Sequence, residues 1–178
     1  MTKAEEFSAV EYLRSGRPME IRALRPQDRD EMLAAVARTS TRSLYRRFFA
    51  VRRHFSEAET SFFLHVDFVN HVALIAVVEE DGKPVIAGGG RYIVVKSGQA
   101  EVAFAVVDKY QGQGIGAVLM RHLAALARSA GLKELIAEVL PENTPMLKVF
   151  EKSGLKLETK QEDQVVHVTL QLSDRSPI

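Results

Sequence analysis

Asp108-Lys109-Tyr110-Gln111-Gly112-Gln113-Gly114-Ile115-Gly116 decides the fold. Before it, Gln99 to Val107 reads as a β-strand, with the apolar run Val102-Ala103-Phe104-Ala105-Val106-Val107. After it, Gly114 to Ala130 reads as a long amphipathic helix, with Ile115, Val118, Leu119, His122, Leu123 and Leu126 on its inner side and Gly131 as the C-terminal cap. Glycines at every second position let the chain turn tightly and present its N–H groups, and a helix start adds unpaired donors and a positive dipole end. The product is an anion site suited to phosphate. A Walker A loop would need Gly-Lys-Ser/Thr where this chain has Gly116-Ala117-Val118. A dinucleotide fingerprint does match at Gly112, Gly114 and Ala117. It lies two thirds along the chain, however, after a strand that belongs to an antiparallel meander rather than a βαβ unit. The remaining pattern is Gln/Arg-x-x-Gly-x-Gly/Ala, here Gln111, Gly114 and Gly116.

Outward from this turn the elements follow in order. Met19 to Leu24 alternates as a half-buried strand, and Asp28 is placed to cap a helix from Arg29 to Arg38. Ser40 or Thr41 caps a second helix, with Leu44, Tyr45, Phe48 and Phe49 on one face and Arg42, Arg46 and Arg47 on the other. Ser56 and Glu59 form a capping box for a third, through Leu64. Val72–Val78, Val85–Val95 (interrupted by Gly88-Gly89-Gly90) and Gln99–Val107 read as a three-stranded meander. Beyond the long helix come a strand at Leu135–Leu140, a helix at Asn143–Lys152 ended by Gly154, and a closing hairpin of Leu155–Leu157 and Val165–Leu172. The expected class is α/β, one mixed sheet with helices on both faces. Residues 1–18 are set apart as an N-terminal extension, 19–173 as the domain and 174–178 as a tail.

Composition excludes several function classes. The chain has 178 residues, 46% hydrophobic and 26% charged, which suits one globular domain. It has no cysteine, so disulfide scaffolds, thiolate metal sites and cysteine nucleophiles are excluded. His65 and His71 have no third ligand at metal spacing, so no metal is expected, and His54, His122 and His167 read as surface or packing residues. The longest apolar run, Val72–Val78, is far short of the ~20 residues of a membrane span, and Met1–Val10 lacks the apolar core of a signal peptide. The expected location is cytoplasmic, with no membrane partner. A net charge of +1 argues against nucleic acid. The charge is uneven: Arg14 to Arg53 holds eleven Arg against four acids. Such a stretch is either a docking surface for an acidic partner or cofactor, or a pair of solvated amphipathic helices.

With the turn and the element order in place, the sequence resembles the GNAT superfamily of N-acetyltransferases over Ile21 to Leu172. More narrowly, His65-Val66-Asp67, His71-Val72-Ala73-Leu74 and Ala100-Glu101-Val102-Ala103-Phe104 resemble the catalytic domain of bacterial Pat-type protein-lysine acetyltransferases. The resemblance implies a mostly antiparallel sheet, splayed between the strand at 99–107 and the strand at 135–140. It implies acetyl-CoA as co-substrate, with Gln111, Gly112, Gln113, Gly114, Ile115 and Gly116 around the pyrophosphate. Phe104, Ala105 and Val106 would lie along the pantetheine arm, the Val106 N–H facing the thioester oxygen, and Asn143 would contact the arm. Glu101 is implied as the general base, with Asp108 a weaker candidate. Seven residues after Asn143, where many family members carry a tyrosine that protonates the departing thiolate, this chain has Phe150. Phenylalanine cannot donate that proton.

The expected reaction is direct acetyl transfer to a primary amine. The expected acceptor is a protein lysine, possibly of an acyl-CoA synthetase. The alternatives are a small-molecule amine or a non-catalytic acyl-CoA-binding module, and the expected assembly is a monomer or homodimer. The arginines from Arg38 to Arg53 would select a protein substrate or meet the 3′-phosphate of CoA. Some relatives append a cyclic-nucleotide-binding or acyl-CoA-ligase-like domain, for which 178 residues leave no room.

Overall fold

The fold is described from a computed structural model, over residues 3–39 and 56–172. The second helix expected after Ser40, and the arginines from Arg42 to Arg53, lie outside the described residues. Eight strands form one sheet: β1 (Ser8–Tyr12), β2 (Pro18–Ala23), β3 (His71–Glu80), β4 (Lys83–Lys96), β5 (Gln99–Val106), β6 (Glu134–Val139), β7 (Lys156–Glu162) and β8 (Val165–Gln171). Their spatial order is β1-β2-β3-β4-β5-β6-β8-β7. Every neighbouring pair is antiparallel except β5 and β6, which are parallel. The helices are α1 (Arg29–Ala37), α2 (Glu57–Leu64), α3 (Ile115–Ser129) and α4 (Thr144–Glu151).

The one parallel pair produces the opening that matters. Only Gln99, Ala100 and Glu101 pair with Glu134, Leu135 and Ile136. Past Glu101 and Ile136 the two strands diverge. The sheet is therefore splayed between the strands expected at 99–107 and 135–140. Parallel strands need a long crossover, and α3 supplies it, laying Leu119, Leu123 and Ala127 fully buried against the sheet.

Gly88-Gly89-Gly90 does not interrupt its strand. β4 runs unbroken from Lys83 to Lys96, and the glycines are where other groups come close. A Cβ on Gly90 would lie 2.6 Å from Cδ1 of Phe104 and 3.0 Å from Cδ1 of Leu123. A Cβ on Gly88 would meet the Ala105 carbonyl at 3.0 Å and Ile115 at 3.1 Å. The Phe104 ring has little freedom to yield, because it packs on Phe150 with centroids 6.2 Å apart. Gly90→Ala is therefore expected to overpack the core and lower stability by ~1–3 kcal/mol, read as a lower urea midpoint at unchanged slope.

Two further sequence expectations need correction. Asp28 precedes α1 but does not cap it with its side chain. Its carboxylate instead takes two parallel bonds from Arg22 (2.7 and 2.8 Å) and one from the Arg25 N–H (2.8 Å). Burial opposes its ionisation, but these donors outweigh burial and hold the carboxyl below its ordinary range. The closing hairpin is also longer than expected, because β7 extends through Lys156–Glu162 rather than ending at Leu157. By contrast, the capping box at α2 forms as read: Ser56 Oγ accepts from the Glu59 N–H (3.1 Å), and Glu59 Oε1 accepts from the Ser56 N–H (3.2 Å). Within the segment set apart as an extension, Ser8–Tyr12 forms β1 and pairs along β2.

The loop before β3 is held by one carboxylate. Asp67 Oδ1 accepts from the N–H groups of Val69, Asn70 and His71 at 2.8–2.9 Å. His71 is buried, and its Nε2 accepts from Arg91 Nη1 at 2.9 Å. Burial, reinforced by the Arg91 charge, pulls the imidazole pKa down to about 4. The unfolded chain thus takes up this proton near pH 6.5 and the folded chain only near pH 4. Stability contributed here falls as pH drops from 6.5 to 4 and is level below that. Replacing His71 by Gln keeps an acceptor for Arg91 and should remove this slope, a difference on the order of 2 kcal/mol between parent and variant across the window, measured by urea unfolding at each pH.

Candidate active site

Where β5 and β6 part, a groove of about 400 Å³ opens along the end of β5, the following turn and one face of α4. Nine of the eleven residues expected at the site line it: Phe104, Ala105, Val106, Gln111, Gly112, Gly114, Ile115, Gly116 and Asn143. Gln113 does not line it; its carbonyl turns to accept a bond from the Arg14 N–H (3.1 Å). Glu101 does not line it either and sits on the other face of β5.

The turn has the conformation its glycines predict. Gly112 (φ 78°) and Gly114 (φ 91°) are in the left-handed region, and Gly114 is the residue preceding α3. The first helical bond runs from Val118 N–H to Gly114 O (3.1 Å), so the N–H groups of Ile115, Gly116 and Ala117 have no partner within their helix. All three residues line the groove. Gly116 also lets α4 approach, since a Cβ there would lie 3.2 Å from Val149. Gln111 ties turn to strand, its Nε2 donating to Val106 O (3.1 Å).

The strand end presents backbone to the opening. Val107 N–H donates to Ala87 O (2.8 Å), toward β4. Successive N–H groups of a strand point to opposite sides, so the Val106 N–H points to the side from which β6 has withdrawn. Asn143 lies across the gap, just before α4. It is 8% exposed, and its Oδ1 accepts from Met146 N–H (3.3 Å), so it caps the helix. Its amide nitrogen has no partner among the described residues, although it borders both the groove and a 30 Å³ cleft deeper between the strands. A buried donor left unpaired is costly. Phe150 closes that cleft, 1% exposed, its ring against Phe104. It brings no proton donor there.

On the opposite face of β5, Ala103, Ala105 and Val107 line an apolar cavity of about 120 Å³ with Met32, Ala35 and Val36 of α1. Ala105 borders both this cavity and the groove, so the two meet across one small side chain. Glu101 shares the face of Ala103 and Ala105, as the alternation predicts. It is exposed, between Ile93 of β4 and Ile136 of β6, and no donor among the described residues engages its carboxylate. Asp108 lies in the turn, within 3.4 Å of Gln111 Nε2. Tyr110 is buried, its hydroxyl donating to Glu80.

The groove carries cations that sequence reading did not place there: Arg14, Lys148 and Lys152. Lys148 and Lys152 share a helical face by their i, i+4 spacing, a signal present in the sequence but not used. Arg14 has no such local signal. Arg38, the described member of the arginine cluster, is engaged elsewhere, with Ile86 O (3.1 Å) and Glu80 (3.8 Å).

This strand, glycine turn, helix and splay coincide with a family profile: residues 38–155 match the Acetyltransferase (GNAT) family. The chain belongs to the GNAT acetyltransferase family. It is 36% identical over 127 residues to an acetyltransferase of Pseudomonas aeruginosa, covering 71% of this chain and 68% of that protein. It is 35% identical over 146 residues to acetyltransferase Pat of Mycolicibacterium smegmatis, covering 80% of this chain but 42% of that protein. The GNAT domain of S. lividans PAT superposes with a TM-score of 0.83 at 33% identity, over 92% of this chain and 96% of that one. A cAMP-binding acyltransferase from Mycobacterium smegmatis follows at a TM-score of 0.66 and 26% identity, and this chain spans 49% of it. The GNAT fold, the enzyme class and the kinship with Pat are thus shown. A more distant protein of the same fold from Salmonella typhimurium, 18% identical, has been solved with its cofactor acetyl-CoA. Among the described residues of this GNAT protein, no helix is long and apolar enough to cross a membrane. No group of three or more His, Cys, Asp and Glu among them is arranged to hold a metal ion.

Proposed function

We propose that this protein transfers an acetyl group from acetyl-CoA directly to a protein lysine, with Glu101 as the general base. The observation that carries the reading is the groove itself, where backbone donors of the 112–117 turn, the outward Val106 N–H and the unpaired Asn143 amide converge on one side of β5. These are the donors that a pyrophosphate, a thioester oxygen and a pantetheine amide require.

The lysine acceptor rests on the likeness to Pat and on the opposite face of β5. A lysine arrives protonated, with an ordinary pKa near 10.4. The apolar cavity beside Ala105 suits its aliphatic stem, and Glu101 is the unengaged carboxylate on that face. In the transfer, the amine nitrogen bonds the acetyl carbon as the carbon–sulfur bond breaks. The nitrogen's proton goes to Glu101, directly or through one water, and the sulfur leaves as thiolate. With Phe150 in the cleft, the thiolate takes its proton from solvent. The Val106 N–H is the donor placed to stabilise the oxygen as negative charge develops.

Cytoplasmic residence fits this chemistry, and an acyl-CoA synthetase is the proposed protein substrate. The test is acetyl-CoA turnover against purified acyl-CoA synthetases and a panel of small amines, read by mass spectrometry. A mass gain of one acetyl group on a lysine supports the reading. Acetylation confined to small amines would replace the acceptor, and CoA binding without turnover on any amine would leave a binding module.

A further inference from the structure

The β1–β2 hairpin reaches the phosphate turn from ninety-eight residues away in sequence. Its tip, between Leu13 and Arg17, is closed by the Leu13 N–H on Arg17 O (2.9 Å). From that tip Arg14 contacts the turn twice. Its backbone N–H donates to Gln113 O (3.1 Å), and its side-chain Nη1 donates to Gly112 O (3.3 Å). The guanidinium runs beside Gly114, where a Cβ would lie 3.9 Å from Arg14 Nε. A second tie anchors the hairpin: Glu11 of β1 bridges to Arg121 and to His122 Nε2 (2.8 Å) on α3.

A guanidinium has five N–H donors in a rigid fork that matches phosphate oxygens. The Gly112 carbonyl occupies one of them. No carboxylate among the described residues pairs with Arg14, whereas Arg22, Arg29, Arg38 and Arg121 each have an acid. Arg14 is thus an exposed, uncompensated cation on the wall of the groove, next to the unpartnered N–H groups of the α3 start. Across the groove, Lys148 and Lys152 complete a wall of one sign.

We propose that Arg14 is a phosphate-recognising residue, delivered by the N-terminal hairpin, that grips the pyrophosphate of the acyl-CoA beside the α3 N-terminus. The proposal rests on the acetyl-CoA reading above and adds a residue and an element to it. The backbone bond from Arg14 to Gln113 straps the turn whatever side chain is present, so substitutions at Arg14 isolate the side chain's role.

The experiment uses the full chain and two substrates: acetyl-CoA, and S-acetylpantetheine, which lacks the phosphates. Calorimetry on the parent, Arg14→Ala, Arg14→Gln and Arg14→Lys gives affinity, and steady-state rates give KM and kcat. Charge-assisted bonds of this kind predict a ~10–100-fold weaker acetyl-CoA affinity for Arg14→Ala and Arg14→Gln, with part of it restored in Arg14→Lys. KM for acetyl-CoA should rise by a similar factor while kcat at saturation stays within about twofold. With S-acetylpantetheine, parent and variants should have equal kcat/KM. Ligand-free melting temperatures should agree, since the side chain is exposed. An Arg14→Ala protein that binds acetyl-CoA as tightly as the parent overturns the proposal. So does an equal loss toward the phosphate-free substrate, which would make Arg14 a prop for the turn. A parent that binds no acetyl-CoA overturns the acetyl-CoA reading itself and this proposal with it.

Discussion

Glu101→Gln is expected to lower the acetylation rate by ~10²–10⁴-fold while acetyl-CoA affinity stays at the parent value. The separation follows from geometry. The cofactor groove lies along the end of β5, and Glu101 is absent from it. The carboxylate lies instead on the face of β5 that it shares with Ala103 and Ala105, residues that line the apolar cavity, and that cavity meets the groove at Ala105. Gln keeps the size of the side chain and removes its capacity to accept a proton, so no packing change accompanies the loss. Because Glu101 is exposed, the melting temperature should be unchanged. The pH profile gives the sharper reading. In the parent, the rate rises with pH along a limb governed by deprotonation of the acceptor amine with help from the base. In the variant, solvent must take the proton, and the limb moves to higher pH. Steady-state assays on the acetylated lysine at each pH test this. An unchanged rate with an unchanged profile would sink the assignment and leave Asp108 or a chain of waters.

The sequence was most readable where burial and periodicity agree. The three-stranded meander, α3 and the glycine turn are apolar on the side the fold buries, and their places emerged within a few residues. The edges were less readable for the same physical reason. In β1 the large apolar residues point outward: Val10 is 68% exposed and Tyr12 64%. Alternation there has the sense opposite to a half-buried strand, so the pattern offered no core face to find. In β7 only Leu157 is even half-buried, and a strand of Lys156-Leu157-Glu158-Thr159-Lys160-Gln161-Glu162 owes its place to pairing with β8 rather than to apolar content. Gly88-Gly89-Gly90 has weak strand propensity, yet the close approach of Phe104, Leu123 and Ile115 requires it within a strand. In the site, the turn was legible because its chemistry is local. Glu101 and Asn143 came from resemblance. Arg14 was not legible, since nothing in Leu13-Arg14-Ser15-Gly16-Arg17 shows that it will meet Gly112. That contact exists only after β1 and β2 have paired and the sheet has carried the hairpin tip to the turn.

The turn offers the second large effect. Gly114→Glu is expected to weaken acetyl-CoA binding by ~10²–10⁴-fold, through the loss of two charge-assisted contacts of about 1.5–3 kcal/mol each. Three contributions separate. The first is conformational: Gly114 has φ 91°, a region costly to a residue with a Cβ, by ~1–2 kcal/mol. Gly114→Ala isolates that cost, since the space itself is free and the nearest atoms to a new Cβ are those of Arg14 at 3.9 Å. The second is electrostatic. A carboxylate there stands at the start of α3, where negative charge is favourable to the helix by ~0.3–1 kcal/mol, so the folded protein should be no less stable than Gly114→Ala. The third concerns the ligand. The same carboxylate occupies the place of the pyrophosphate, repels it, and draws the Arg14 guanidinium to itself. The Ala variant should thus lose a little stability and modest affinity, and the Glu variant should keep that stability and lose binding. Calorimetry with acetyl-CoA beside ligand-free thermal melts distinguishes the two. A Gly114→Glu protein that melts like the Ala variant and binds acetyl-CoA like the parent would show that the pyrophosphate does not lie on this turn.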